Sequence, residues 1–139
     1  MNTASAEQIF ELFSGISFPE VRGQTPMDMA YADKLHRLAT RVEGWDGDLL
    51  AGIACVYTND PAKDAAYAPL LCARQGYGGL GAALVRRTIA CCREAGFRSL
   101  RSSDIDEENR RAVALYRRLG VQIIAREGRR LTVEIVLRS

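Results

Sequence analysis

A run of closely spaced glycines followed by an amphipathic segment is the part of this sequence best suited to chemistry. Residues 75–83 read Gln-Gly-Tyr-Gly-Gly-Leu-Gly-Ala-Ala, and residues 84–89 continue as Leu-Val-Arg-Arg-Thr-Ile. Glycine lets the backbone approach a ligand closely, and the first N–H groups of a helix have no partner within it. Because such N–H groups bind anions, the segment predicts a phosphate site at the start of a helix.

A second segment with functional side chains begins at Asn109 and ends at Gly120. It reads Asn-Arg-Arg-Ala-Val-Ala-Leu-Tyr-Arg-Arg-Leu-Gly, which joins an amide at a predicted helix start to one tyrosine and four arginines. Asn is a common N-cap residue, and a phenol with an ordinary pKa of about 10 keeps its proton at neutral pH and can donate it. Charged helix faces are usually solvated, and the alternative for these arginines is pairing with an anion.

Composition limits the classes of protein to consider. With 139 residues, 47% hydrophobic and 26% charged, residues 1–139 are expected to form one domain with its own core. The 19 basic and 17 acidic residues give a net charge of +2, which is too balanced for a nucleic-acid surface. There is no signal-peptide pattern and no apolar run near the roughly 18 residues of a membrane span, so we expect a cytoplasmic protein without a membrane partner.

The cysteines and the single histidine do not form a recognisable reactive cluster. Four cysteines lie in apolar segments without CxxC spacing, which predicts reduced core thiols: Cys55, Cys72, Cys91 and Cys92. The one histidine, His36, has no nucleophile or ligand cluster near it in sequence. We therefore expect neither a metal site nor Cys-His or Ser-His catalysis.

Periodicity and turn residues predict an α+β fold. The predicted helices cover 4–13, 28–39, 82–95 and 109–119, and the strands 42–45, 49–57, 65–72, 100–105, 121–125 and 131–137. Gly15 and Pro19 end the first helix, residues 18–26 form a loop, and Pro69 indicates a bulge or a splayed edge within its strand. Written as ααββββαβαββ, this order predicts a mixed, mostly antiparallel sheet with a central βαβ unit and helices on both faces.

The two functional segments resemble signatures of the GNAT superfamily of N-acetyltransferases. That family's cofactor loop, Arg/Gln-x-x-Gly-x-Gly/Ala at the start of the third helix, falls on residues 76–81. Its Asn-x-x-Ala-x-x-Leu-Tyr-x-x-x-Gly-Phe signature is matched by Asn109, Ala112, Leu115, Tyr116 and Gly120. The predicted order of helices and strands agrees with that of a GNAT-like fold over nearly the whole chain.

Two positions depart from these signatures. Gly76 stands where Arg or Gln is usual, with Arg74 and Gln75 just upstream, so either the loop is shifted by one residue or one contact is missing. Val121 replaces the usual aromatic residue after Gly120, which should change packing more than chemistry.

The resemblance implies that acetyl-CoA, as co-substrate, lies between two diverging parallel strands, 65–72 and 100–105. The glycine loop would bind its pyrophosphate, and strand amides would pair with pantetheine and polarise the thioester carbonyl. The implied cofactor-binding residues are Leu71, Ala73, Gly76, Tyr77, Gly78, Gly79, Leu80, Gly81, Ala82 and Asn109. Simple N-terminal capping is the alternative role for Asn109.

The resemblance also makes Tyr116 the candidate general acid for the departing thiolate. Packing beside Leu115 and Leu119 is its alternative role, and both roles are compatible. No general base stands out, since each candidate acting through water is better suited to a solvated surface: His36, Glu43, Asp60, Asp64 and Asp104. The early loop and helix that cover the acceptor in relatives carry three candidate selectivity residues, Glu20, Arg22 and Tyr31.

The sequence thus predicts an acetyl-CoA-dependent N-acetyltransferase that moves an acetyl group to a primary amine by direct attack on the thioester. The acceptor is a small molecule or a peptide, and a homodimer is left open. One alternative is a non-catalytic acyl-CoA-binding or sensing module on the same fold, motivated by Gly76 and by residues 65–71, which contain no carboxylate where some relatives carry a Glu. Another is an ATP-binding protein, although the loop lacks a Gly-Lys-Ser/Thr ending and an acidic magnesium ligand.

Overall fold

The computed structural model describes residues 3–14 and 28–137, which form four helices and six strands. The helices are α1 Ala6–Ser14, α2 Met29–Leu38, α3 Leu80–Glu94 and α4 Arg110–Arg118. The strands are β1 Thr40–Asp46, β2 Leu49–Tyr57, β3 Ala65–Ala73, β4 Ser99–Asp106, β5 Gln122–Glu127 and β6 Arg130–Val136. Every named helix and strand prediction is confirmed in type, whereas the loop predicted for residues 18–26, with Gly15 and Pro19, lies outside the described residues.

The strand count before α3 needs one correction. Three strands lie there and not the four of the written order. The strand ranges predicted for this part of the chain also number three, so the written order counts one strand too many. Between β2 and β3, the Asp60 carboxylate stabilises a turn by accepting hydrogen bonds from Ala62 N at 3.0 Å and Asp64 N at 3.1 Å. Lys63 within this turn has a φ of 54°, which is incompatible with an extended strand.

The sheet has the order β1-β2-β3-β4-β6-β5. All neighbours are antiparallel except β3 and β4, which are parallel and joined through α3. Along β2, Ile53 and Cys55 pack against α1 and α2, while Val56 packs with α3, as expected for side chains that alternate between two faces. The predicted mixed, mostly antiparallel sheet with a central βαβ unit and helices on both faces is confirmed.

The parallel strands β3 and β4 form a fork. They pair only at their first residues, from Ala65 opposite Ser99 to Tyr67 opposite Arg101, and then separate. The register between β2 and β3 shifts at this point, between Cys55 and Tyr57, so that β3 carries the bulge predicted at Pro69. Beyond the last pair, Ser102 Oγ donates a hydrogen bond of 2.8 Å to the Ala68 carbonyl, which a neighbouring strand would otherwise occupy.

Burial is uneven across the fold. Ile53, Cys55, Cys92 and Phe97 are almost completely buried, whereas every residue of β5 is exposed and α4 has no fully buried residue. All four cysteines are free thiols, and three are buried as predicted, whereas Cys91 is only half-buried. Within the described ranges, no helix is long and apolar enough to span a membrane, and no cluster of three metal-ligating side chains is found.

Candidate active site

The open end of the fork leads into a cleft of about 510 Å³ between the end of β3, the glycine loop, the start of α3 and one face of α4. Its walls are formed by residues 71–79, 81, 82, 109, 111, 112, 115 and 118. Every residue predicted to bind the cofactor lines this cleft, with the exception of Leu80. The structure therefore brings two segments that are distant in sequence, the glycine loop and the Asn109 segment, to opposite sides of one opening.

The strand edge that faces the cleft presents main-chain donors. The N–H of Arg74, just after β3, donates to the Ala51 carbonyl at 2.8 Å, so this residue faces β2. Because neighbouring residues of a strand direct their N–H groups to opposite edges, the N–H groups of Leu71 and Ala73 point away from β2. The strand β4 has already diverged there, so these two donors face the cleft.

The glycine loop adds donors at the start of α3. Gly79 is the N-cap, with a φ of 83° and no side-chain cap, and the Leu80 N–H donates to the Tyr77 carbonyl at 3.2 Å. The following N–H groups, of Gly81 and Ala82, precede the first regular helical bond and have no hydrogen-bond acceptor among the described residues. The positive end of the α3 dipole and two unpaired N–H groups therefore face the cleft.

The conformation of the loop explains why Gly76 departs from the usual Arg or Gln. Gly76 has a φ of 91°, a left-handed region that strains any residue with a side chain. A Cβ placed on Gly76, Gly78 or Gly79 would meet no atom within 4 Å, so all three positions face open space. The side chains of the two preceding residues, Arg74 and Gln75, line the cleft where the family usually has the Arg or Gln side chain.

Leu80 positions the loop through the sheet. Gly44 on β1 pairs directly with Gly52 on β2, and the absence of two side chains leaves a notch on the sheet surface. A Cβ on either glycine would lie 2.9 Å from a terminal methyl of Leu80, so this side chain fills the notch. The first residue of α3 is thereby packed against the sheet and away from the cleft.

Two hydrogen bonds fasten the loop to the β1–β2 hairpin. The Tyr77 hydroxyl donates to Asp46 Oδ2 at 2.6 Å, and this bond raises the pKa of the exposed phenol. The Arg74 Nε donates to the Leu50 carbonyl at 2.9 Å. The sequence does not predict the bond between Tyr77 and Asp46, because nothing local to either residue indicates it.

The α4 wall combines an amide and cationic side chains. Asn109 is the N-cap of α4, and its Oδ1 accepts a hydrogen bond of 3.3 Å from the Ala112 N–H. The capping role is thus present, and the residue also lines the cleft. Two of the four arginines, Arg111 and Arg118, line the cleft, as their spacing of two helical turns allows.

Tyr116 lies deeper, at the base of the fork. It lines two smaller cavities, of about 110 and 40 Å³, which share Leu71 with the main cleft. The residue as a whole is half-buried, but its phenolic end is surrounded by protein, and burial raises the pKa of Tyr116 to about 12. The hydroxyl therefore stays protonated at every physiological pH.

The candidate bases lie elsewhere. Both carboxylate oxygens of Glu43 accept hydrogen bonds from the Ala4 N–H at 3.1 Å, and the group also accepts from Arg41 and Trp45, which ties it to the packing of the N-terminal segment. Asp60 holds its turn, Asp64 pairs with Arg98, and His36 is exposed on α2. None of these side chains lines the cleft or the two cavities beside Tyr116.

The candidate selectivity residues are only partly visible. Tyr31 packs against the cluster between α1, α2 and the sheet, where burial raises its pKa to about 12, and it does not line the cleft. Glu20 and Arg22 lie outside the described residues, as does the side chain of Asp104.

Comparison with known proteins agrees with this geometry. A sequence profile of the acetyltransferase (GNAT) family matches residues 6–121. Ard1 from Thermoplasma volcanium superposes with a TM-score of 0.79 at 17% identity, over 99% of this chain and 97% of its own. A GNAT-family protein from Desulfovibrio desulfuricans gives 0.77 at 19% identity, over 95% and 92% of the two chains.

A third solved structure, yncA from Salmonella typhimurium with its cofactor acetyl-CoA, gives a TM-score of 0.73 at 15% identity, over 99% of this chain and 93% of its own. No curated protein sequence matches significantly. Because the family profile covers most of the sequence and the expected fold is present, the chain belongs to the acetyltransferase (GNAT) family.

Proposed function

We propose that this protein is an acetyl-CoA-dependent N-acetyltransferase that transfers an acetyl group to a primary amine by direct attack on the thioester. The observation that carries the proposal is a path of donors that begins in the cleft and continues into the adjoining cavity beside Tyr116. It runs from the free N–H groups of Gly81 and Ala82 past those of Ala73 and Leu71 to the phenol of Tyr116. The related Salmonella structure holds acetyl-CoA, which this path suits.

The residues at the outer end of the path fit a diphosphate. Two free N–H groups and the helix dipole attract negative charge, and the glycines leave room for close approach. Arg111 and Arg118 stand across the cleft, where a further phosphate of CoA would find charged hydrogen-bond donors. The N–H groups of Ala73 and Leu71 then suit the amide groups of pantetheine, which would extend along the β3 edge.

The residues at the inner end suit acyl transfer. The amine nitrogen bonds to the thioester carbonyl carbon, the C–S bond breaks, and the products are an amide and the free thiol of CoA. The Leu71 N–H faces the place where negative charge develops on the carbonyl oxygen, and a single such donor is worth about 2.7–4 kcal/mol in comparable enzymes.

Tyr116 donates the proton that the departing sulfur needs. A phenol with a pKa of about 12 is a weak acid toward a thiolate in water, whose conjugate acid has an ordinary pKa of about 8.5. Burial changes that balance, because the thiol of Cys72, in the nearby core, also has a pKa raised to about 12. A thiolate released in an apolar place is therefore more basic than in water, which favours proton transfer from the phenol, and the phenolate regains a proton from water.

The amine proton leaves by another path. Apart from Asp104, whose side chain lies outside the described part of the structure, no Asp, Glu or His within residues 3–14 and 28–137 lines the cleft or the cavities beside Tyr116. The acceptor therefore enters as the neutral amine and releases its proton to water, so that the rate rises with pH until the amine is deprotonated. The same lack of a carboxylate motivates the second candidate, a module that binds acyl-CoA without turnover.

Calorimetric titrations with acetyl-CoA, CoA and ATP, combined with a thiol-release assay, test the proposal. We expect acetyl-CoA and CoA to bind, ATP to bind weakly, and CoA to be released with at least one acceptor. The acceptor panel includes amino sugars, polyamines, aminoglycosides and peptide N-termini. Binding of acetyl-CoA without release of CoA across the panel would favour the sensing module, and tight binding of ATP alone would reject both.

A further inference from the structure

A small, mainly apolar cavity of about 40 Å³ lies at the base of the fork, between the sheet and the helices α3 and α4. The sheet side of its wall includes two alanines, Ala54 on β2 and Ala68 on β3, together with Leu100 and Val133. Two alanines at this depth leave space that larger side chains would fill. The cavity therefore depends on the small side chains at these two positions and not on the strand geometry alone.

The polar atoms around the cavity are already engaged. Thr88 Oγ1 donates to the Leu84 carbonyl at 2.8 Å, and Ser102 Oγ donates to the Ala68 carbonyl at 2.8 Å. Arg101 Nε donates to Glu134 Oε2 at 2.5 Å. An internal water needs about two to four polar partners, and most of this wall is made of aliphatic side chains. The cavity thus suits an apolar occupant and not water.

The cavity adjoins the place where the thioester would lie. It shares Leu71 with the main cleft, and it shares Leu71, Ser102 and Tyr116 with the second cavity of about 110 Å³. That second cavity reaches Phe13 of α1 and contains the more polar residues Ser103 and Asn109. An incoming amine suits the polar side, which leaves the apolar cavity for the part of the acyl group beyond its carbonyl carbon.

We infer that this cavity is an acyl-chain pocket, so that the protein uses straight-chain acyl-CoA donors longer than acetyl-CoA, up to about butyryl-CoA. The inference rests on the proposed function, because it places the thioester beside Leu71 and Tyr116. About 10–15 Å³ of space is needed for each water-sized group, so about 40 Å³ accommodates the two extra methylene groups of a butyryl chain. An octanoyl chain exceeds this space.

Binding of an acyl-CoA series measures the pocket directly. We expect the dissociation constant to fall by about fourfold for each buried methylene from acetyl-CoA to propionyl-CoA and butyryl-CoA, and to rise again for octanoyl-CoA. Affinity that stays level or falls from acetyl-CoA to butyryl-CoA would overturn the inference. Failure of every acyl-CoA to bind would reject the proposed function itself, so the two failures are distinguishable.

Variants of the wall separate a pocket from a general preference for apolar ligands. Ala54→Val should fill the cavity and lower the ratio of butyryl-CoA to acetyl-CoA affinity by about tenfold, while Val133→Ala should raise the tolerance for longer chains. Ala51→Val is the matched control, because Ala51 is buried on the same strand but lines none of the cavities. The ratio within each variant is independent of how much protein is folded, and an unchanged ratio in Ala54→Val and in Val133→Ala would contradict the inference.

Discussion

The two walls of the cleft are built in opposite ways. The wall formed by β3, the glycine loop and α3 offers main-chain N–H groups, and α3 beneath it buries a full face that includes Leu84, Ile89 and Cys92. The α4 wall offers side chains, and α4 has no fully buried residue. The first wall is held by the core, whereas the second depends on exposed arginines, and the half-buried phenol of Tyr116 on the same helix lies deeper, beside the adjoining cavities.

This difference predicts unequal contributions of the two walls to cofactor binding. Donors fixed by the backbone lose little conformational entropy when they bind, and no side-chain substitution removes them directly. Exposed arginines must be ordered on binding and are screened by salt. We therefore expect most of the cofactor affinity to come from the glycine-loop wall and smaller adjustments from α4.

The largest expected effect is from a negative charge on the glycine-loop wall. Gly81→Glu places a carboxylate where the proposed diphosphate lies, and two like charges about 4 Å apart repel by about 4 kcal/mol near a protein surface, or roughly 10³-fold in affinity. An acidic residue in the first turn of a helix is otherwise stabilising, so the protein should stay folded. Calorimetry with CoA measures the loss.

Gly81→Ala is the matched control for that charge. A Cβ at this position would lie 3.9 Å from a methyl of Leu115, which is an ordinary contact. Its affinity for CoA should stay close to that of the native protein. Equal affinity in Gly81→Glu would mean that the diphosphate lies elsewhere.

Tyr116→Phe examines the chemical contribution of the α4 wall. Removing the phenolic proton donor should lower kcat by about 10²-fold with little change in CoA affinity, since the aromatic ring and its packing are kept. Steady-state thiol release gives kcat, and Tyr67→Phe is the control because Tyr67 is exposed and lines none of the cavities. Turnover equal to that of the control would remove Tyr116 from the mechanism.

The notch beneath Leu80 determines how firmly the glycine-loop wall is held. In Gly44→Val the new side chain would overlap Leu80, whose atoms are the three nearest to a Cβ at Gly44, and stability should fall by about 1–3 kcal/mol. Affinity for CoA should weaken with it, because the start of α3 is displaced. Urea denaturation and calorimetry measure the two effects.

A second substitution tests whether these effects come from the same contact. Leu80→Ala in the Gly44→Val chain makes room and should recover part of both losses, whereas strictly additive losses would show that the notch does not position the loop.

The arginines of α4 should have a smaller effect. Arg118→Ala should weaken CoA binding by about three- to tenfold at low salt and by less at high salt, as expected for an exposed charge. Arg117→Ala, on the same helix but outside the cleft, should leave binding unchanged. A larger loss for Arg118→Ala than for Gly81→Glu would reverse the proposed ranking of the two walls.

High pH should produce the smallest change and should affect both walls. Burial raises the pKa of Tyr116 and Cys72 to about 12, above their ordinary values, so the folded protein holds protons that the unfolded chain loses. Their stabilisation is complete at neutral pH and is lost as the pH rises from about 9 toward 12. At about pH 11 Tyr116 should account for about 1 kcal/mol of the decline, and Tyr116→Phe should show a shallower loss in denaturation experiments.

The sequence predicted the parts of the site that depend on local pattern. Glycine spacing and helical periodicity located the loop, and α3 begins at Leu80, two residues before the predicted start at residue 82. Pro69 marked the bulge at the fork because proline cannot donate to a strand ladder. These features require no knowledge of which strands are neighbours.

Contacts that depend on strand register could not be predicted from the sequence. The notch for Leu80 needs Gly44 opposite Gly52, and this pairing exists only because the register shifts between Gly44 and Trp45. A regular hairpin around the Asp46 turn would place Gly44 opposite Ala51. The two strands were predicted correctly, but the irregularity that creates the notch has no local signal.

The orientation of α4 was also not predictable. Residues seven apart share a helical face, which groups Arg111 with Arg118 and Arg110 with Arg117. The apolar stripe with Ala112, Leu115 and Tyr116 packs on the core, and which pair faces the cleft depends on where the glycine loop lies relative to this stripe in the fold. The periodicity thus defined two candidate pairs and could not choose between them.

Pro69 also sets a limit on depth. Below Leu71 the next residue with the same orientation along β3 would be residue 69, and proline has no N–H to offer. The row of main-chain N–H donors that pantetheine would bind along β3 therefore ends at Leu71. The last donor precedes the alanines at the base of the fork, so Pro69 limits how deep the sulfur of the cofactor can lie.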